Sequence, residues 1–346
     1  CSCRTTHDTS NKSSRRKHSI GVTADIQKII EICRLDAATP SSVELSSLSH
    51  LAIEHGVGGW LYHRFGCNAL RSHAMQTMAD YTRKVAIAQK ILDTFASEGL
   101  NTYIIKGLHL ATNVYPEPWA RPTGDVDMLT TTTDLAKAHR LLNTLAAKPN
   151  KYAYRTPVIY RSFMSHLPAI SIDRVCVEMH YNLHGADTHY NPLYPTPYDT
   201  PTLLFHLTTH FLRNKHLAGN RLGWLLDIAL LAHQNVASLQ SIVCQAKKLR
   251  PSLSADIDDV LSHALYLLPQ NEQQSCGLTI ARLTPQYLLP KRRNPLYTFL
   301  YRTRRILHFF ALANHYITKE DNTKSYIVKI KNVILDFKDF VLYRHR

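Results

Sequence analysis

Two aspartates one residue apart, Asp125 and Asp127, stand in the run Gly124-Asp-Val-Asp-Met-Leu129. On an extended chain the side chains alternate, so both acids share one face while Val126 and Met128 share the other. Residues two apart are separated by about 6.5–7 Å along a strand, which lets both carboxylates converge on one cation. Like charges so placed repel. A fold keeps them at the end of a buried strand when a cation, a proton or an arginine sits between them. Further along, Val175, Val177 and Met179 alternate with Cys176, Glu178 and His180, which puts a glutamate on the polar face of another strand. A third carboxylate on a neighbouring strand completes a site for two divalent ions about 3.5–4 Å apart. Such a site clamps a triphosphate and stabilises the attacking and leaving oxygens of an in-line displacement. Oxygen ligands favour Mg²⁺ or Mn²⁺ over zinc.

Other residues fall into place around these acids. The β-branched and aromatic run Thr102–Ile105 stops at Lys106-Gly107. Gly107 allows close approach of backbone N–H groups to phosphate, and Lys106 either adds a point charge there or neutralises the acids. Arg121, four residues before Asp125 in a Pro-rich loop, is placed for a phosphate or a carboxylate. His180 shares the Glu178 face and either orients that acid or is a buried core histidine. Asp173 is the alternative third acid, and Arg174 or Arg161 would pair with Glu178 if its role were structural. Asp227, set among Leu225, Leu226, Ile228 and Leu230, is expected to pair with Arg213 or Arg221, or to support the floor of the site. His206 and His210 have a zinc-compatible i, i+4 spacing, but no Glu follows His206 as in a metalloprotease. Their neighbours Leu203, Phe205 and Leu207 read as core. Cys1 and Cys3 are too isolated for a zinc site.

The elements that must position these groups are read from periodicity. Residues 20–100 are helical, with helices over Asp25–Cys33 and Val43–His55, a third containing Trp60 and Phe65, and a long one over Arg71–Gly99 that Gly99 closes. Residues 101–185 hold the strand Thr102–Ile105, a short helix Leu108–Tyr115, the Asp-x-Asp strand and a helix from Leu135 to about Ala147 capped at Thr133-Asp134. Short strands over Tyr152–Arg155, Val158–Phe163, Ala169–Ile172 and Val175–Tyr181 follow. Residues 186–284 turn helical again, over Thr202–Arg213, Leu222–His233, Leu239–Leu249 and Ala255–Leu268. The fold class is α/β, more strictly α+β: a small mixed sheet carrying the acids, with helical regions before and after it.

The 346 residues carry a formal charge of +15, distributed unevenly. Residues 1–19 contribute +4 and residues 285–346 contribute +9, leaving the body near +2. Cationic ends suit a polyanion or an anionic surface, and equally a solvated tail and helix face. Residues 1–19 are polar, basic and read as disordered, without the apolar core of a secretory signal. Residues 285–346 read as a basic helical tail with Arg and aromatic residues interleaved, a pattern that stacks bases or packs on a body. No apolar run is long enough to span a bilayer. Cys33, Cys67, Cys176 and Cys244 sit in apolar patterns, which suggests buried, reduced thiols and a cytoplasmic setting.

The ordered set Lys106-Gly107, Tyr115-Pro116, Arg121-Pro122, Gly124-Asp125, Asp127, Leu129, Glu178, His180 and Trp224-Leu-Leu-Asp227 resembles the uncharacterised bacterial nucleotidyltransferases of the polymerase-β-like superfamily. The likeness spans roughly residues 25–270. It implies that Asp125 and Asp127 are the paired metal-binding acids and Glu178 the lone acid of a later strand. Lys106-Gly107 stands where the wider superfamily has Gly-Ser, as in the branch that includes abortive-infection and toxin nucleotidyltransferases, and Leu108 cannot supply the hydroxyl that usually touches phosphate. The activity so implied is Mg²⁺- or Mn²⁺-dependent transfer of a nucleoside monophosphate from an NTP to a protein, an RNA end or a small molecule. The catalytic residues would be Asp125, Asp127 and Glu178, with Lys106, Gly107, Arg121 and His180 at the nucleotide. The alternatives are an inactive nucleotide- or RNA-binding module and a helical interaction protein.

Overall fold

The computed structural model describes residues 23–131, 133–147, 166–167, 169–181, 199–217 and 220–288. The expected strands Tyr152–Arg155 and Val158–Phe163, the N-terminal residues 1–19 and the basic segment from 289 onward lie outside them. In chain order the elements are α1 (23–33), α2 (Ser42–Glu54), α3 (Gly58–Phe65), α4 (Asn68–Ser97), β1 (Tyr103–Ile105) and α5 (Lys106–Asn113). A 3-10 turn at Pro118–Ala120 leads to β2 (Val126–Leu129), α6 (Leu135–Leu145), β3 (Ile170–Ile172) and β4 (Val175–His180). Then come α7 (Thr200–Leu217), α8 (Leu222–Gln234), α9 (Leu239–Leu249), α10 (Ser254–Ala264) and two short helices, Gln270–Ser275 and Pro285–Leu288. The described residues thus form a mixed α+β protein with one small sheet, as the periodicity implies. No helix among the described residues is long and apolar enough to cross a membrane.

These elements form two compact units, each assembled from segments distant in sequence. The first takes the chain up to Met78, Asn113–Pro122 and Thr200–Lys291; the second takes Ala79–Thr112 and Thr123–Asp199. The first unit is helical. Gly59 lies so close to the 3-10 turn that a Cβ there would stand 2.7 Å from the Ala120 carbonyl oxygen, so only glycine fits. Asp227 of α8 is buried and accepts two hydrogen bonds of 2.8 Å from Arg121 Nε and Nη2, and a third of 2.8 Å from the Tyr115 hydroxyl. Its partner is therefore Arg121, not Arg213 or Arg221. The guanidinium edge presents two parallel N–H groups to the two carboxylate oxygens, the strongest geometry this pair of side chains has.

The second unit holds the sheet, in the order β1-β2-β4-β3. β1 and β2 are antiparallel, β2 and β4 parallel, and β3 and β4 antiparallel. The β3–β4 hairpin turns on Asp173 and Arg174, both left-handed at φ 47° and 67°, as a two-residue turn that matches strand twist requires. One sheet face is apolar: Val126, Met128, Val175, Val177 and Met179 pack with Ile87, Ala88, Ile91 and Phe95 of α4 and Leu135, Ala138 and Leu142 of α6. α4 ends where expected, with Gly99 at φ 69° and the Leu100 amide bonded back to the Phe95 carbonyl. Asp134 stands at the start of α6 without a side-chain cap, because its carboxylate is taken by the Thr131 hydroxyl at 2.8 Å. Of the four thiols expected inside, Cys33 and Cys67 are buried, whereas Cys176 and Cys244 are exposed. Cys176 alternates onto the acid-bearing face of β4. Cys244 lies off the Leu239, Ile242, Val243 and Ala246 stripe of α9.

Candidate active site

β1 ends at Ile105, whose ladder partner is Asp127. The next residue, Lys106, has φ 53°, a left-handed conformation costing a non-glycine residue on the order of 1–2 kcal/mol. It opens α5 with no intervening loop. This abrupt strand-to-helix turn brings the lysine over the sheet. Its Nζ donates to Asp127 Oδ1 at 2.6 Å and lies 3.0 Å from His180 Nε2.

The parallel ladder supplies the second acid. Asp127 lies opposite Glu178, and Leu129 opposite His180, so Asp127, Glu178 and His180 all project from the face away from the apolar core. His180 is 1% exposed and its Nε2 lies 2.8 Å from Asp127 Oδ1. Its buried Nδ1 has no partner among the described residues. Nε2 is the ring nitrogen that faces Asp127. Glu178 Oε2 lies 3.5 Å from that nitrogen and 3.7 Å from His166 Nδ1. His166 donates from Nδ1 to its neighbour's carbonyl, Leu167, at 2.8 Å, and its ring stands 5.0 Å from that of His180.

The two aspartates live in opposite fields. Burial pushes the Asp127 carboxyl up, but the His180 hydrogen bond and the Lys106 charge pull it further down, well below the usual carboxylate range. Glu178 behaves likewise: burial raises it, and the His180 and His166 contacts bring it below its ordinary value. Asp125, half-buried just before β2, is pushed up to about 6 by burial and then by the charges of Asp127 and Glu178. Asp125 has no hydrogen bond or ion pair among the described residues. Of the three carboxylates only Asp127 is in contact with an ammonium, that of Lys106, while Lys84 acts on Asp125 through its charge alone, and the cluster is short of positive charge.

That shortage makes the site a fit for a divalent cation. One donor atom each from Asp127, Glu178 and His180 lies within 4.8 Å of the others, and the strongest contact at Asp127 is already a cation. The oxygen donors suit Mg²⁺ or Mn²⁺, and the imidazole tilts the set towards Mn²⁺.

The remaining expected residues are placed as follows. Gly107 is the second residue of α5, beside Lys106. Arg121 is engaged with Asp227 in the first unit. Asp173 sits in the hairpin turn, its side chain 68% exposed and 3.7 Å from Lys90, so Glu178 is the acid beside Asp127. Arg174, the other residue of that turn, is no partner of Glu178, which has His166 and His180 instead.

Two residues of the site escape a reading of the sequence. His166 belongs to no regular element and carries no pattern. Lys84 left a signal: it occupies the same helical stripe as Ile87, Ala88, Ile91 and Phe95, is 8% exposed, and bonds the Thr123 carbonyl two residues before Asp125. Burial lowers its pKa, against the opposing charges of Asp80 and Asp125.

Comparison with curated proteins and with solved structures gave no match. A family model described as uncharacterised nucleotidyltransferase matches residues 41–255, a span that holds the whole sheet with Lys106, Asp125, Asp127, Glu178 and His180. With more than half of its length matched, the chain belongs to this family of uncharacterised nucleotidyltransferases.

Proposed function

We propose that the chain transfers a nucleoside monophosphate from an NTP to an acceptor, releasing pyrophosphate. The observation that carries this reading is the register that sets Glu178 beside Asp127 on parallel strands, with Asp125 leading into the same site. Asp125, Asp127 and Glu178 would hold Mg²⁺ or Mn²⁺. Such ions supply charge neutralisation at the phosphates and at the attacking and leaving oxygens. An acceptor oxygen bonds to the α-phosphorus, the bond to the α–β bridging oxygen breaks, and pyrophosphate departs with the bonding electrons. The acceptor's proton passes to a carboxylate of the cluster.

The chain's own residues have distinct parts in this. His180 fixes the Asp127 rotamer through its hydrogen bond, and His166 and His180 hold Glu178 in its ionised form. Lys106, on a four-carbon stem with a quarter-exposed side chain, reaches the triphosphate as a point charge. Asp125, with a pKa near 6 in the metal-free protein, becomes fully ionised when a cation arrives. Gly107 opens the α5 backbone to the phosphates, next to Lys106. Arg121 acts through Asp227, fixing the start of the segment that ends at Asp125.

The test is pyrophosphate release from each of the four NTPs with Mn²⁺ or Mg²⁺, in the presence of RNA, protein and small-molecule fractions as acceptors. Release that depends on the divalent ion and disappears in Asp127→Asn supports the reading. Bound NTP and Mn²⁺ with no release from any fraction would make the chain an inactive nucleotide-binding module.

A further inference from the structure

We propose that Lys106 and the divalent ion compete for Asp127, so that the ion binds weakly alone and enters together with the nucleotide. This rests on the nucleotidyltransferase reading and adds an order of binding to it. The ammonium donates to Asp127 Oδ1 at 2.6 Å and stands 3.0 Å from His180 Nε2, two of the three groups whose donor atoms lie within ligating range of one another. An ion on Oδ1, the oxygen that also faces His180 Nε2, would sit at about 2.0–2.1 Å for Mg²⁺ and stand against the ammonium. Two cations at that range repel, so one must leave.

Lys106 is able to leave. Its side chain is 25% exposed while that of Asp127 is 4% exposed, so the amine already has a route outwards on a flexible stem. In the free protein Asp127 is the one carboxylate among the described residues within ion-pair distance of it, and a departing amine needs another anion to move to. The triphosphate is that anion. When it docks, Lys106 moves from carboxylate to phosphate and Asp127 is freed. Nucleotide and ion therefore bind cooperatively, each raising the affinity for the other by the same factor.

The sign of one substitution separates this from the ordinary view of a ligand-supporting lysine. Titration of Mn²⁺ followed by electron paramagnetic resonance should give Lys106→Met a free-ion affinity at least tenfold above that of the wild type, although the variant has lost a residue of the site. A non-hydrolysable α,β-methylene NTP should tighten Mn²⁺ at least tenfold in the wild type and markedly less in Lys106→Met. Lys106→Gln, which keeps a polar tip, should behave like Lys106→Met. If one variant is too unstable to titrate, the other decides, because a bound triphosphate itself ligates Mn²⁺ and would couple to it in either view. Unchanged or weaker Mn²⁺ binding in the folded variants, or no coupling in the wild type, overturns the competition. Pyrophosphate release measured in parallel keeps the two claims apart. Turnover without coupling leaves the transferase and removes the competition, whereas coupling without turnover does the reverse.

Discussion

Asp125 and Asp127 are one residue apart, yet their removal should move stability in opposite directions. In metal-free protein the Asp125 carboxyl is raised from the ordinary 3.8 to about 6. The native state then holds its proton more tightly than the unfolded chain, so stability is full below pH 4 and falls as pH rises through about 6. At ~1.4 kcal/mol per pH unit the whole loss is about 3 kcal/mol. Asparagine cannot ionise. Asp125→Asn should therefore be more stable than the wild type by about 3 kcal/mol at pH 8 in chelator, by about half that at pH 5, and by about 0.5 kcal/mol near pH 4. Asp127 is lowered instead, so its stabilisation is present above the unfolded pKa and lost as pH falls. Asp127→Asn strips the ion pair from Lys106 and should cost about 3–5 kcal/mol at pH 8. Urea unfolding followed by circular dichroism between pH 5 and 8 measures both. Mn²⁺ should close the Asp125→Asn gap by favouring the ionised aspartate. A gain of equal size at pH 5 and pH 8, or no gain at pH 8, would show that carboxylate repulsion is not what strains the site.

Three further outcomes follow from particular contacts. Removing the carboxylate in Asp227→Ala leaves the Arg121 guanidinium, 14% exposed, without its anion and should cost about 3–5 kcal/mol; combination with Arg121→Met should restore part of that in urea unfolding, and strict additivity would deny the coupling. Gly59→Ala places a methyl 2.7 Å from the Ala120 carbonyl oxygen and should cost about 1–3 kcal/mol, read as a lowered urea midpoint with unchanged m. Glu178→Gln should reduce turnover by about 100-fold or more while Asp173→Asn leaves it intact, and the opposite pattern would move the third acid to Asp173.

The strand alternations and the ordered acids are written plainly in the chain, because a period of two on a half-buried sheet admits only one assignment of faces. Val175, Val177 and Met179 inside, with Cys176, Glu178 and His180 on the other face, is such a case. The long helix was legible for a similar reason, since Gly99 supplies the left-handed residue that a helix end takes. Partnerships across sequence distance were not legible. Asp227 selects Arg121, 106 positions away, over the nearer Arg213 and Arg221, because only folding decides which guanidinium meets its carboxylate edge-on. Cys33 and Cys67 are buried as expected, whereas Cys176 and Cys244 misled because apolar neighbours in sequence do not fix which side of a helix or strand is covered. Lys84 could have been found as a lone cation in an apolar stripe, whereas His166, bridged to His180 outside the named strands, stands in no alternation that would have singled it out.

The central claim is transfer of a nucleotidyl group, and isotopic position tests it most directly. NTPs labelled at either the α- or the γ-phosphate are incubated with the full chain, Mn²⁺ or Mg²⁺, and acceptor fractions of protein, RNA and small molecules, beside Asp127→Asn. The α-label, and no γ-label, should become attached to material in one fraction, and the attachment should be absent with Asp127→Asn. Transfer of γ-label, or no transfer from any NTP to any fraction, would contradict it.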